Sequence, residues 1–214
     1  MDSNRQKEAD ISLTSDNGTI DMLQLDPEGD VILHVKNSAT GAEGKFLVAS
    51  KVLGLASKMF AKMFSPSFKE GRQLREEVRP CITLEEDDPT AMETILRVLH
   101  YKHESIPFTM NAKTLSTLAV HIDKYQCHQT LAPWTRHWCA SFKDVTSSKD
   151  IGFFLLAAYL LWFPSLPVLM AHAVKHLPPG FLAAWWEEET LHYLPDTLTG
   201  SQPDLIQHIV TNDR

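Results

Sequence analysis

The segment from Gly29 to Gly71 reads GDVILHVKNSATGAEGKFLVASKVLGLASKMFAKMFSPSFKEG, and its apolar spacing changes halfway along. In the first half, Val31, Leu33 and Val35 alternate with more polar residues. A second apolar run, Phe46 to Ala49, follows a turn-rich stretch. Alternation is the period of a β-strand, so this half predicts a β-hairpin.

The second half of the segment has the apolar spacing of helices. Two sets of residues recur three or four positions apart: Val52, Leu55, Met59 and Met63, and Leu53, Ala56, Phe60 and Phe64. They predict a helical hairpin with two apolar faces, one packed on the sheet and one on a further surface. Ser57 is the predicted N-cap of its second helix.

This succession of elements resembles the BTB/POZ family of protein-interaction domains. The residues that match are Asp30-Val31, Phe46, Val52-Leu53, Ser57-Lys58-Met59-Phe60, Met63-Phe64 and Phe68-Lys69-Glu70-Gly71. The resemblance continues to Phe142 and includes Asp123-Lys124-Tyr125, which is similar to an ending common in fungal members. It implies an α+β fold in which a small three-stranded β-sheet is covered by α-helices. One departure is Ser50, where the family usually has a histidine.

The remaining elements of this part are predicted from local signals. Residues 19–25 form a short extended segment, which the resemblance would place where subunits exchange a strand. Residues 68–70 are predicted as an exposed turn, 72–80 as a polar connector and 81–84 as the third strand. Asp88 and Asn111 are predicted to cap two long helices.

The whole chain is predicted to have three parts. Residues 1–18 are polar and are expected to be disordered. Residues 19–142 form the BTB/POZ domain, and residues 143–214 form an all-α extension. Its predicted helices are 151–163, 166–177, 182–191 and one beginning near residue 204. Residues 151–170 carry no charge, but Pro164 and Pro167 interrupt them, so a buried core helix is predicted and no membrane span.

Composition excludes some classes of function. The 20 basic and 27 acidic residues give a formal charge of −7, which argues against direct nucleic-acid binding. Three widely spaced cysteines indicate no disulfide framework and favour a reducing compartment. The N-terminal residues lack the apolar core of a signal peptide, so an intracellular location, cytoplasmic or nuclear, is expected.

No catalytic, metal or cofactor site is predicted. The one candidate zinc cluster consists of His121, Cys127, His128, His137 and Cys139. Their spacing does not provide convergent pairs of ligands, so packed cysteines and solvent-facing histidines are expected instead. Two roles are considered for four tryptophans, a platform for a ligand or packing that seals the junction between the domain and its extension, and the second is favoured. These residues are Trp134, Trp138, Trp185 and Trp186.

The resemblance implies two protein-binding sites. A homodimer interface would contain Asp30, Lys51 and Met59, with an intrachain capping role as the alternative for Asp30. A cullin-type partner would bind the residues after the helical hairpin: Met63, Phe64, Phe68 and Glu70. The alternative for Phe68 is burial in its own core.

The resulting hypothesis is a non-catalytic, self-associating protein–protein interaction module. One version is a substrate adaptor for a cullin-based ubiquitin ligase. The alternative is a dimerising scaffold or transcription-associated regulator without a cullin link.

Overall fold

The computed structural model describes residues 21–140, 145–195 and 198. The strands are β1 (Met22–Gln24), β2 (Val31–Asn37), β3 (Ala42–Val48) and β4 (Cys81–Glu85). The α-helices are α1 (Ser50–Ala56), α2 (Lys58–Met63), α3 (Lys69–Glu76), α4 (Pro89–Leu99), α5 (Ala112–Lys124), α6 (His128–Ala140), α7 (Ser148–Leu160), α8 (Leu166–His176) and α9 (Phe181–Trp186). Short 3-10 turns cover His103–Ser105 and Glu189–Tyr193. The tail predicted at 1–18 and the helix predicted near residue 204 lie outside the described residues.

The sheet has four strands in the order β1-β3-β2-β4, one more than the three predicted. The predicted hairpin of β2 and β3 is confirmed, with Val31 opposite Val48. The predicted strand β4 pairs in parallel with β2. The additional strand, β1, pairs in parallel with β3, and an exchange of this segment between subunits stays a prediction. Parallel pairing between strands that are not adjacent in sequence leaves no local signal, so the extended segment was not assigned to the sheet.

The helical hairpin of α1 and α2 forms as predicted. The Ser57 hydroxyl accepts a hydrogen bond from the Phe60 amide at 3.1 Å, which confirms the N-cap of α2. Leu53 and Phe60 are fully buried in the core, and the neighbours of α1 and α2 include helices α3 and α4. On the other predicted apolar face, which contains Val52 and Met59, Leu55 is 82 % exposed. The structure therefore buries the face of Leu53 and Phe60 and leaves part of the other face accessible.

Residues 69–76 form helix α3, where the sequence predicted a turn followed by a polar connector. The prediction was wrong because α3 has almost no apolar period. Gly71 is its one buried residue and Leu74 is only half-buried. Its lysine, glutamate, glutamine and arginine residues are nevertheless good helix formers, and that intrinsic preference was the available signal.

Helix α4 packs on β2 and β3, helix α5 packs on α4, and both predicted N-caps are confirmed. Asp88 accepts from the Ala91 amide at 2.7 Å, and Asn111 accepts from the Thr114 amide at 2.8 Å. Each cap satisfies an amide that the first helical turn leaves unpaired. The buried residues of α4 and α5 join those of the strands in one core.

The later helices continue this core. Every residue of α7 from Ile151 to Ala158 is buried, and α7 packs along α5. Lys113 of α5 also forms an ion pair with Glu188, after α9, at 2.8 Å. Within the described residues, no helix combines the length and the hydrophobicity needed to span a bilayer. The boundary predicted between residues 142 and 143 falls in 141–144, outside the described residues.

Candidate protein-interaction site

Asp30 holds the beginning of α1. Its carboxylate accepts one hydrogen bond from the Ser50 amide at 2.7 Å and a second from the Ser50 hydroxyl at 2.6 Å. A carboxylate at this position suits the positive end of the helix dipole. These are the contacts expected of the intrachain capping role, and the dimer role of Asp30 stays a prediction.

Lys51 and Met59 lie on the two helices of the hairpin. Lys51 is exposed in the first turn of α1, and Met59 is half-buried on α2. Among the ion pairs formed by the described residues, none joins Lys51 to Asp30. The structure thus brings Asp30 next to Lys51 through Ser50, and a dimer interface at these residues stays a prediction.

Met63 and Phe64 end α2 and are only partly accessible. Both are half-buried and pack against the core. The Phe64 ring stacks on Phe60, with ring centroids 5.6 Å apart, and Phe60 stacks in turn on Tyr125 at 4.6 Å. Phe64, Phe60 and Tyr125 thus form an internal ring column, and one face of the Phe64 ring is covered by it.

Phe68 and Glu70 begin α3 and are more open. Phe68 occupies the N-cap position with its side chain 39 % exposed, which contradicts the alternative of burial in its own core. The Lys62 ammonium lies 5.7 Å from the centre of its ring, a cation–π distance. Glu70 is half-buried in the first turn of α3, where the helix dipole favours a carboxylate.

Gly71 fixes the position of this pair. A Cβ added at Gly71 would lie 1.9 Å from the carbonyl oxygen of Ser65, so only glycine allows α3 to approach the end of α2 this closely. This contact holds the first turn of α3 against the end of α2. The packing gives a physical reason for the glycine that ends the Phe68-Lys69-Glu70-Gly71 motif.

A buried carboxylate that the sequence analysis did not identify lies under the sheet edge. Asp87 is 1 % exposed and accepts from the Tyr125 hydroxyl at 2.5 Å and the Lys124 ammonium at 2.6 Å. Burial, followed by the charge of Asp87, raises the pKa of Tyr125, so the phenol remains a donor. The Asp123-Lys124-Tyr125 ending was the available signal, because two of its residues bind this acid.

His121 lies beside Asp87 as a neutral ring. Its Nε2 is 3.3 Å from a carboxylate oxygen of Asp87, but it accepts a hydrogen bond from the Asp88 amide at 2.9 Å. Its Nδ1 donates to the Thr117 carbonyl at 2.8 Å, which fixes the proton on that nitrogen. His121 and Asp87 therefore do not form an ion pair.

The residues of the candidate zinc cluster bind different neighbours. His128 contacts the Leu160 carbonyl at 2.9 Å, and His137 contacts the Phe108 carbonyl at 3.1 Å. Burial raises the pKa of both Cys127 and Cys139 to about 12, which keeps these thiols protonated. Over residues 21–140 and 145–195, no three histidine, cysteine or acidic side chains are arranged to hold a metal ion.

The tryptophans pack in two separate places rather than in one seal. Trp138 is buried and donates to the Pro107 carbonyl at 3.0 Å, within the first part of the chain. Trp185 is buried and donates to the Ser148 carbonyl at 2.8 Å, within the later helices. The junction between the two parts is formed instead by α5 and α7.

Comparison with known proteins identifies the family. The model of the BTB/POZ domain matches residues 22–141, which is more than half of the 214 residues. The comparison with curated proteins gave no match. Domains of this family are generally non-catalytic modules that bind other proteins. The chain belongs to the BTB/POZ domain family, and the part that matches is a protein–protein interaction module.

Proposed function

We propose that this protein is a non-catalytic adaptor that binds a cullin through the beginning of α3 and self-associates through α1 and α2. The observation that carries the first part is the placement of Phe68 and Glu70. Phe68 is 39 % exposed, and Glu70 follows it in the first helical turn. An apolar anchor beside a carboxylate can fill a groove and add specificity.

The rigidity of this position supports the proposal. Gly71 lets α3 rest on the backbone of Ser65, and Phe64 is held by the internal ring column. The backbone that carries Phe68 and Glu70 is therefore already in place before a partner binds. A site that is already in place loses less conformational entropy on association.

Binding of a purified cullin tests the adaptor proposal. The double variant Phe68→Ala, Glu70→Ala should bind at least tenfold more weakly than the parent chain in calorimetry. Phe108→Ala, Glu104→Ala is a matched control, because it removes an exposed phenylalanine and an exposed acid elsewhere. Binding that survives the first double variant would remove Phe68 and Glu70 from the contact. Met63→Ala and Phe64→Ala belong in the same series.

Self-association is proposed for the face of α1 and α2. Lys51 and Leu55 are exposed on α1, Leu55 by 82 %, and Met59 is half-buried on α2. The hydrogen bonds from Ser50 to Asp30 hold the first turn of α1 in place. An exposed leucine beside a lysine is the kind of surface that a second protein can cover.

Sedimentation velocity tests this face with Lys51→Glu and Met59→Glu, which leave the Asp30 cap intact. Both should lower the degree of association at micromolar concentration by removing the contact through α1 and α2, and Lys36→Glu on the sheet should not. A monomeric parent chain would contradict the proposal. A dimer that binds no cullin would favour the alternative, a dimerising scaffold or transcription-associated regulator.

A further inference from the structure

Strand β4 lies at one end of the sheet. It pairs with β2 from Cys81 opposite Ile32 to Glu85 opposite Lys36. Over the part of the chain that the structure describes, no strand lies along its other edge. β4 therefore has one paired edge and one open edge.

The open edge carries the backbone groups of alternate residues. The Ile32 amide donates to the Pro80 carbonyl at 3.0 Å, which shows that residue 80 faces β2. Backbone groups alternate in direction along a strand, so residues 82 and 84 also face β2 and Cys81, Thr83 and Glu85 face outward. Among the backbone hydrogen bonds between elements of the described residues, none involves these three. Such a row of unpaired donors and acceptors is a template for another strand.

The middle of this edge carries neither a charged residue nor a proline. Proteins protect open edges with charged residues, prolines or bulges. Cys81 and Thr83 are exposed and uncharged. Arg79 and Glu86, with φ of 55° and 59°, end the extended backbone on either side. The free edge is thus short, uncharged in its centre and bounded at both ends.

The charges at its two ends select the partner. Exposed Arg79 precedes the strand, and exposed Glu85 and Glu86 follow it. A second copy in antiparallel orientation would place Arg79 beside the partner's Glu85 and Glu86, and the same contact would occur twice. A parallel copy would place like charges together, which is unfavourable.

We propose that β4 is a second self-association surface, which pairs in antiparallel fashion with β4 of another copy about a two-fold axis at Thr83. Three facing pairs, Cys81 with Glu85, Thr83 with Thr83 and Glu85 with Cys81, would form about six backbone hydrogen bonds. The two sheets would join into one of eight strands. This surface is separate from α1 and α2, so either contact can fail alone.

Disulfide trapping tests the proposed axis. Facing residues of a hydrogen-bonded antiparallel pair lie about 5.5 Å apart at Cα, which is within the range of a disulfide. The full chain carries Thr83→Cys and Cys81→Ser, together with Lys51→Glu and Met59→Glu to remove any dimer through the other face. A covalent dimer should form under mild oxidation. Ser38→Cys in the same background is the control, because residue 38 is exposed in the β2–β3 turn.

Charge exchange tests the orientation. Arg79→Glu should weaken association in the Lys51→Glu, Met59→Glu background at least fivefold, and adding Glu86→Arg should restore it. The restoration separates an intermolecular role of Arg79 from its hydrogen bond to the Pro27 carbonyl. Equal cross-linking at residues 83 and 38, no cross-linking at 83, or an unchanged dimerisation constant in Arg79→Glu would overturn the proposal.

Discussion

The hydroxyl of Tyr125 donates a 2.5 Å hydrogen bond to a carboxylate of Asp87 that is only 1 % exposed. A buried carboxylate without such partners would be strongly unfavourable. The bond also connects the end of α5 with the loop after β4. It is therefore expected to contribute more to stability than an ordinary side-chain hydrogen bond.

Tyr125→Phe should lower the free energy of unfolding by about 1.5–3 kcal/mol, because a hydrogen bond to a charged group is lost. Chemical denaturation measures the change. Tyr159→Phe is the control, since Tyr159 is 40 % exposed. In an Asp87→Asn background the same substitution should cost less, and an equal cost in both backgrounds would show that the two side chains are not coupled.

Gly71→Ala should destabilise the protein by about 1–3 kcal/mol, because its Cβ would collide with the Ser65 carbonyl and displace α3. It should also weaken any partner binding through Phe68. Gly54→Ala is the matched substitution, with its nearest neighbour, the Ala61 Cα, at 3.7 Å. There alanine should be neutral or stabilise α1 by up to about 1 kcal/mol. Equal melting temperatures for the two variants would contradict the packing.

Trp185 and Trp186 provide a comparison of adjacent residues. Trp185 is 2 % exposed and packs on α7, whereas Trp186 is 69 % exposed. Trp185→Ala should cost about 3–5 kcal/mol. Trp186→Ala should change the free energy of unfolding by less than about 0.5 kcal/mol. If Trp185→Ala were equally harmless, the later helices would contribute little to the common core.

His100 should make stability depend on pH. Its Nε2 accepts from the Ala49 amide at 3.1 Å and its Nδ1 donates to the Leu96 carbonyl at 2.9 Å, so the ring is neutral. Burial lowers the pKa of His100, while the bond to Leu96 opposes the shift. The unfolded chain then binds this proton first, so stability is lost as the pH falls below about 6.5 and the loss ends below the folded-state pKa.

His100→Gln removes this titration. The difference in unfolding free energy between pH 7.5 and 5.5 should be smaller in the variant than in the parent chain, whatever the other histidines contribute. Denaturation at both pH values measures it. An unchanged difference would show that His100 does not titrate in this range.

The local parts of the fold could be predicted from sequence. The caps Ser57, Asp88 and Asn111 each bind the amide three residues later, because a cap depends on one side chain and the turn that follows it. The hairpin was equally accessible, since its strands are neighbours with matching alternation. The family match over 22–141 confirms the resemblance carried by those residues.

The parts that were missed depend on distant contacts. The pairing of β1 with β3 and the burial of Asp87 join segments that are far apart in sequence. Helix α3 was missed for a different reason, because it has almost no apolar period and only its intrinsic helix preference indicated it. The exposure of Leu55 on α1 could not be predicted either. Its spacing from the other apolar residues indicates a helical face, but it does not indicate what covers that face.

If the proposed dimer keeps the pairing of β1 with β3 of the same chain, this pairing determines how its subunits mix. A protomer that retains its own first strand can leave a complex without any rearrangement of its sheet, whereas dimers that share strands must partly unfold to separate. Differently tagged chains, once combined, should therefore form hybrid complexes on the timescale of dissociation. Such an assembly could change its composition rapidly when new chains are made.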